Sequence, residues 1–151
     1  ADESNKIGVL GHGFTAGGHP VGAAVALENL KIIEERGLVA QAAETGLYMQ
    51  KRLRELAGHP LVGEVRGVGM IAAVELVLDK ARKVAAGTPG AVGTIASRLL
   101  LERGVISRNM LDALAICPPL IVTKGQIDEM VAAIAGTLDA LKPAVAGLTP
   151  A

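Results

Sequence analysis

Apolar residues recur along this chain in helical and strand periods that succeed one another in blocks. From Pro20 to about Arg36, Ala23, Ala26, Leu27, Leu30 and Ile33 share one helical face, and Glu28, Lys31 and Glu35 mark a narrow polar strip roughly opposite. Val21, Val25 and Ile32 point elsewhere, so this helix is expected to touch two neighbours. Pro20 suits its first turn, where a missing N–H costs nothing, and Gly37 stops it. A second helix follows at once, with Leu38, Ala42, Thr45, Met49, Leu53 and Leu56 spaced by threes and fours up to the break Gly58-His59-Pro60. The run LVGEVRGVGMIAAVELV is β-branched and apolar, interrupted at Gly67 and Gly69, and reads as two strands or one bent strand. Met70 to Val74 is apolar on both faces, which predicts a central strand.

Thr88-Pro89 offers an N-cap and first-turn proline to a helix through Val92, Ile95, Ala96 and Leu99, closed by Gly104. Short strands are expected at Gly104 to Arg108 and Leu114 to Cys117, the second ended by Pro118-Pro119. Thr123 and Gln126 then form a capping box for a last helix whose apolar stripe is Ile127, Met130, Val131, Ile134, Leu138 and Leu141. Pro143 is expected to end it and AVAGLTPA to trail as a loose tail. Two successive helices argue against a plain βαβ repeat. The fold class is α+β, a small, largely antiparallel sheet packed by helices.

Half of the 151 residues are apolar, enough for one domain with a sizeable core. Fifteen basic and fifteen acidic side chains cancel, which removes the charge signature of a nucleic-acid or acidic-membrane binder. Small molecules or other protein chains are the expected partners. Cys117 is the only cysteine and cannot form an internal disulfide, and no apolar run reaches the length of a membrane span, so a cytoplasmic setting is expected. Cys117 itself reads as a small buried apolar residue, with no partnered base to make it a nucleophile. The polar start ADESNK has no initiating Met, and the chain is expected to begin mid-protein.

The stretch GHGFTAGGHPVG, residues 11–22, is where chemistry concentrates. Its glycines lack the G-x-G-x-x-G spacing, a second helix stands where a dinucleotide fold needs a strand, and no Lys-Ser/Thr follows to make a P-loop. What remains is local: the Thr15 hydroxyl, a backbone that a ligand can approach between Gly13 and Gly18, and the dipole of the helix begun at Pro20. These fit a structural turn or an anion site, and local physics leaves both open. His12 and His19 flank the loop, but two histidines seven apart without a third ligand make a poor metal site, and capping or packing is the expected role. His59 reads as a loop residue.

As a string, HGFTAGGHPVGAAVALENLKIIEE resembles the segment that class III aminotransferases carry shortly after their cofactor lysine. Three further blocks stand in family order: VRGVGMIAAVEL, GVISRNMLDALAICPPLIVT and QIDEMVAAIAGTLDAL. The resemblance runs from about Lys6 to Leu141 and is nearest to the omega-amino-acid and amine:pyruvate transaminases. It implies the C-terminal part of a fold-type I, pyridoxal 5'-phosphate (PLP) enzyme, a homodimer that moves an amino group from an amine or omega-amino acid to a keto acid. By that likeness residues 1–19 belong to the active-site edge of a large domain, 20–57 are linking helices beginning with a long helix, 58–142 a small domain and 143–151 a tail. The Schiff-base lysine would lie upstream of residue 1, and this chain alone is expected to be inactive.

The resemblance also assigns residues. Thr15 would hydrogen-bond the phosphate of the PLP held by the partner subunit, with Phe14 beside it. Arg108 would line the substrate pocket and pair with the acceptor's carboxylate, and could swing aside for an uncharged amine. Arg66, in VRGVG, reads on its own as a structural residue that holds the small domain's strands. The chain departs from the family pattern at Ala16 and Gly17, where an aromatic and a serine are common, and at Leu111, where a glycine commonly precedes the aspartate matching Asp112. Without the family likeness, the rival reading is a stand-alone, non-catalytic α/β module that assembles through its helices.

Overall fold

The computed structural model describes residues 5–6 and 13–150, and these fall into two compact units that meet in sequence between Gly37 and Leu38. In the first unit, the Gly17 N–H donates to the Phe14 carbonyl at 2.9 Å and closes a turn that Gly18 leaves at φ +77°. Helix α1, Pro20–Glu35, starts from that turn with its proline in the first position, as the sequence predicts. Gly37, at φ +59°, donates back to Glu34 and ends it. None of α1's residues is buried, and Val21, Val25, Leu27 and Leu30 are all more than half exposed. The two neighbours expected for its apolar faces are therefore not supplied within its own unit.

The second unit is built on a four-stranded antiparallel sheet with strand order β1-β2-β4-β3. Its elements are α2 (Leu38–Arg54), a 3₁₀ turn (Glu55–Gly58), β1 (Val62–Val68), β2 (Ile71–Leu76), α3 (Ala91–Leu101), β3 (Arg108–Met110), β4 (Ala113–Ile116) and α4 (Lys124–Ala144). Helix α2 bears on the β1–β2 turn so closely that a Cβ on Gly46 would stand 2.7 Å from the backbone of Gly69. Gln50, buried beside it, donates its Nε2 to the carbonyls of Gly69 and Ile71, both at 3.0 Å. The bend that Gly69 takes at φ +55° is thus held from behind, which settles the two-strand reading.

Helical side chains fill one face of the sheet. Met49 and Leu53 of α2, Leu100 of α3 and Ile127, Ile134 and Leu138 of α4 are buried with Val74 and Leu76 of β2 and Leu114 of β4. Leaving fully buried Leu or Ile side chains in water would cost about 1.5–3 kcal/mol each, which fixes this face as the core. Strand β2 is interior, as expected, but not buried on both faces: Ala72, Val74 and Leu76 face the core, while Ile71 is exposed and Ala73 and Glu75 half-buried. The sheet therefore keeps one open face.

Charge clasps α2 to α4. Tyr48 donates its hydroxyl to the two Asp128 carboxylate oxygens at 2.8 and 2.9 Å, Arg52 Nε reaches the same carboxylate at 2.7 Å, and Lys124 pairs with Glu44 at 2.7 Å. The Arg52 guanidinium, with the Tyr48 hydroxyl, holds the Asp128 carboxyl below its ordinary value.

Several sequence expectations are revised. Thr88 does not cap α3: the N-cap is Gly90 at φ +80°, with no side chain of its own to offer, and a distant residue takes its place. The third strand does not run from Gly104 to Arg108 but begins at Arg108, because the Val105 N–H returns to the Leu100 carbonyl and ties that segment to the end of α3. The fourth strand ends at Ile116, one residue before Cys117, which is exposed rather than buried. Pro143 lies in the last turn of α4, where the helix ends one residue later, and the capping box of Thr123 and Gln126 is present. Residues 145–150 are not a loose tail. Val145 is buried, Gly87 donates to the Thr149 carbonyl at 2.8 Å and Ala86 bridges Pro150.

Leu111 adopts φ +55°, the left-handed conformation that favours glycine, in the turn between β3 and β4. The residue is 67% exposed, so little packing depends on its side chain. Leu111→Gly should therefore raise stability by about 0.5 kcal/mol, the relieved strain of roughly 1–2 kcal/mol less the extra freedom of an unfolded glycine. A denaturation midpoint that falls on substitution would contradict this.

Candidate active-site elements

The residues that the sequence marks as candidates, Phe14, Thr15 and Arg108, lie in two places, the first two in one unit and Arg108 in the other. In the first unit, Phe14 precedes the turn and Thr15 lies in it, with both exposed. Beyond the turn, α1 begins with His19 as N-cap, whose side chain makes no capping hydrogen bond. The expected capping role of His19 is thus not filled, and the first-turn amides keep their capacity for another acceptor. A Cβ on Gly13, Gly18 or Gly22 would meet nothing within 4 Å. A hydroxyl, an open backbone and the N-terminus of a 16-residue helix compose a cradle whose donors suit a phosphate. His12 lies outside the described residues. Among the described residues no cluster of metal-binding side chains occurs, and no helix is long and apolar enough to cross a membrane.

In the second unit Arg108 stands on the open face of the sheet, beside a cavity. Register places Arg66 of β1 opposite Ala73, Ala73 opposite Ala115 and Ala115 opposite Arg108. Residues paired across a sheet share a face, so the row reads Arg-Ala-Ala-Arg from one margin to the other. One step along, Glu64 pairs with Glu75 and Glu75 with Ala113. Small side chains in the middle leave a cavity of about 530 Å³, lined by Arg66, Glu75 and Arg108 around that alanine floor.

The two arginines differ in their engagement. Arg66 Nη2 reaches Glu75 at 2.7 Å and Nη1 reaches Glu64 at 3.3 Å, and the Glu75 carboxylate pushes the Arg66 guanidinium above its ordinary range. Arg108 makes no ion pair with the described residues and is exposed. An unengaged guanidinium over a smooth apolar floor can take a carboxylate through two parallel charge-assisted hydrogen bonds. Arg66 instead bridges β1 and β2, which matches its expected strand-holding part.

The turn that follows β3 is fixed from α3. Asp112, 5% exposed, accepts from the Gly93 N–H at 2.8 Å and the Gly90 N–H at 3.1 Å, supplying the cap that Thr88 does not. Contact is tight, since a Cβ on Gly93 would stand 2.0 Å from the Leu111 carbonyl oxygen. Ser97 and Asn109 add a contact at 3.3 Å between the same helix and strand. Sequence reading named Asp112 without this role. It missed Glu75 too, although a β-turn at Gly69 and a two-residue strand period place Glu75 on Arg66's side of the sheet. His59 is a loop residue, its Nδ1 accepting from the Leu61 N–H at 3.2 Å, and burial pushes its pKa down.

Residues 2–138 match the family model described as Aminotransferase class-III. The putrescine–pyruvate aminotransferase of Pseudomonas aeruginosa is 46% identical over 142 residues, which are 93% of this chain and 31% of that protein. The diaminobutyrate–2-oxoglutarate transaminase of Halomonas elongata is 46% identical over 132 residues, 85% of this chain and 28% of that protein. Among solved structures, a transaminase with L-Ala is 62% identical at a TM-score of 0.83, covering 95% of this chain and 34% of that one. The omega transaminase from Pseudomonas jessenii in complex with PMP is 49% identical at a TM-score of 0.83, covering 95% of this chain and 32% of that one. This chain thus spans about a third of the length of the relatives it matches.

Proposed function

Since the chain belongs to the class III aminotransferases, we propose that the protein carrying it is a PLP-dependent transaminase of the omega type. It moves an amino group from an amine or omega-amino acid to a keto acid such as pyruvate. Names among the relatives point the same way, pairing an amine donor with pyruvate in one and with 2-oxoglutarate in another. The observation that carries the reading is Arg108, without an ion pair to the described residues at the margin of an alanine-floored cavity, and matched to a carboxylate in shape and charge.

In this reading the Thr15 hydroxyl and the backbone around Gly18, with Phe14 beside them, hold the phosphate of the PLP bound by a partner subunit. The open glycine backbone and uncapped helix start fit a phosphate group. PLP, when bound, supplies the electron sink for the amino transfer. The chain's own residues anchor and orient: Thr15 donates to a phosphate oxygen, and Arg108 fixes the substrate's carboxylate. The lysine that binds the cofactor belongs, in this reading, to the two thirds of the relatives' length that the chain does not span.

The proposal is tested by Thr15→Ala in the full-length protein, titrated with PLP after exhaustive dialysis. Loss of one hydrogen bond to a charged acceptor should weaken PLP retention by about tenfold or more. Unchanged retention would remove Thr15 from the cradle. Failure of the PLP-loaded protein to form alanine from pyruvate across a panel of amines would remove the activity itself.

A further inference from the structure

The open sheet face holds two arginines but offers only one, and this asymmetry bears on the choice of keto acid. Arg66 and Arg108 stand at opposite margins of the same row, three strand spacings or about 14 Å apart at their Cα atoms. Between them the floor is alanine, and both side chains line the same cavity. A ligand with a carboxylate at each end, lying across that floor, would find a guanidinium at either end. Arg66 is not available, however, because Glu75, itself in the cavity wall, draws its Nη2 to 2.7 Å while Glu64 takes Nη1 at 3.3 Å.

Resting on the transaminase reading above, we propose that Glu75 is a specificity-determining residue: by occupying Arg66 it restricts the cavity to acceptors with a single carboxylate, which Arg108 receives. A second carboxylate would meet the Glu75 carboxylate and a guanidinium already neutralised, and like charges brought together in a confined site repel. Arg66 is 47% exposed and Glu75 35% within this chain, so the pair is not part of its buried core. Removing the negative charge of Glu75 then releases Arg66 Nη2, leaving only the longer 3.3 Å contact of Nη1 with Glu64, without emptying the core.

The test is Glu75→Gln in the full-length, PLP-loaded protein, isosteric but uncharged. The ratio of kcat/KM for 2-oxoglutarate to that for pyruvate should rise roughly tenfold, the scale of one charge-assisted hydrogen bond, and the change should sit in KM. Thermal stabilisation by glutarate, which cannot react, should rise in the variant, while that by propionate stays as it was. Adding Arg66→Met to Glu75→Gln should abolish both gains. A Glu75→Gln ratio equal to the unsubstituted protein's, or a gain that survives loss of Arg66, overturns the proposal. If Arg108→Gln leaves pyruvate turnover intact, the carboxylate reading itself has failed, and that outcome is distinct from the failure of Glu75 alone.

Discussion

Arg108→Ala in the full-length, PLP-loaded protein should lower kcat/KM for pyruvate by about a hundredfold, mainly through KM, because it deletes two charge-assisted hydrogen bonds to the acceptor's carboxylate. Amino transfer from an uncharged amine, followed in single turnover, should stay within about threefold, since no carboxylate is engaged in that half of the reaction. The split follows from where Arg108 sits. It lines the cavity from an edge strand, makes no ion pair with the described residues, and pairs through its backbone only with Ala115. Its removal strands no buried partner, so stability should be almost unchanged. Equal losses for both substrate types would mean that Arg108 acts on the fold or the cofactor rather than on a carboxylate.

The second large effect concerns the support behind that strand. Asp112→Ala takes the acceptor away from two amides, Gly90 and Gly93, and so removes a side-chain cap at the start of α3. Leaving those donors without partners in a buried setting should cost about 3 kcal/mol in chemical denaturation. Asp112→Asn keeps one carbonyl oxygen and should lose about half as much. A loss below about 0.5 kcal/mol for Asp112→Ala would show that water or a neighbouring group replaces the carboxylate, and that the turn is not held as described.

These two residues also mark what could and could not be read from sequence. The capping box of Thr123 and Gln126 was legible because its partners are three residues apart and carry their own signature. Asp112 and Gly90 are 22 residues apart, and only the folded sheet brings them together, so the local appearance of Thr88-Pro89 as a helix start prevailed. The same limit explains Cys117 and the C-terminal residues. Composition makes Cys117 a buried residue and AVAGLTPA a tail, whereas exposure and the Ala86–Pro150 bridge depend on which strand ends where. Helix periods, the interior place of β2 and the α+β class rested on spacing alone and stand. For the candidate site, spacing marked the glycine turn and family likeness marked Arg108. Neither revealed that Glu75 engages the second arginine, because that contact spans two strands and appears only once the hairpin turn is placed.

The short edge strand β3 has one more consequence. Its three residues are hydrogen-bonded to a single neighbour, while β2 and β4, which carry the buried side chains, are each paired on both sides. Substitutions around Arg108 can therefore reshape the rim of the cavity without disturbing the layer that makes the unit fold. Such a division lets substrate preference drift over evolutionary time, or under a breeder's selection, at small risk to the scaffold beneath it.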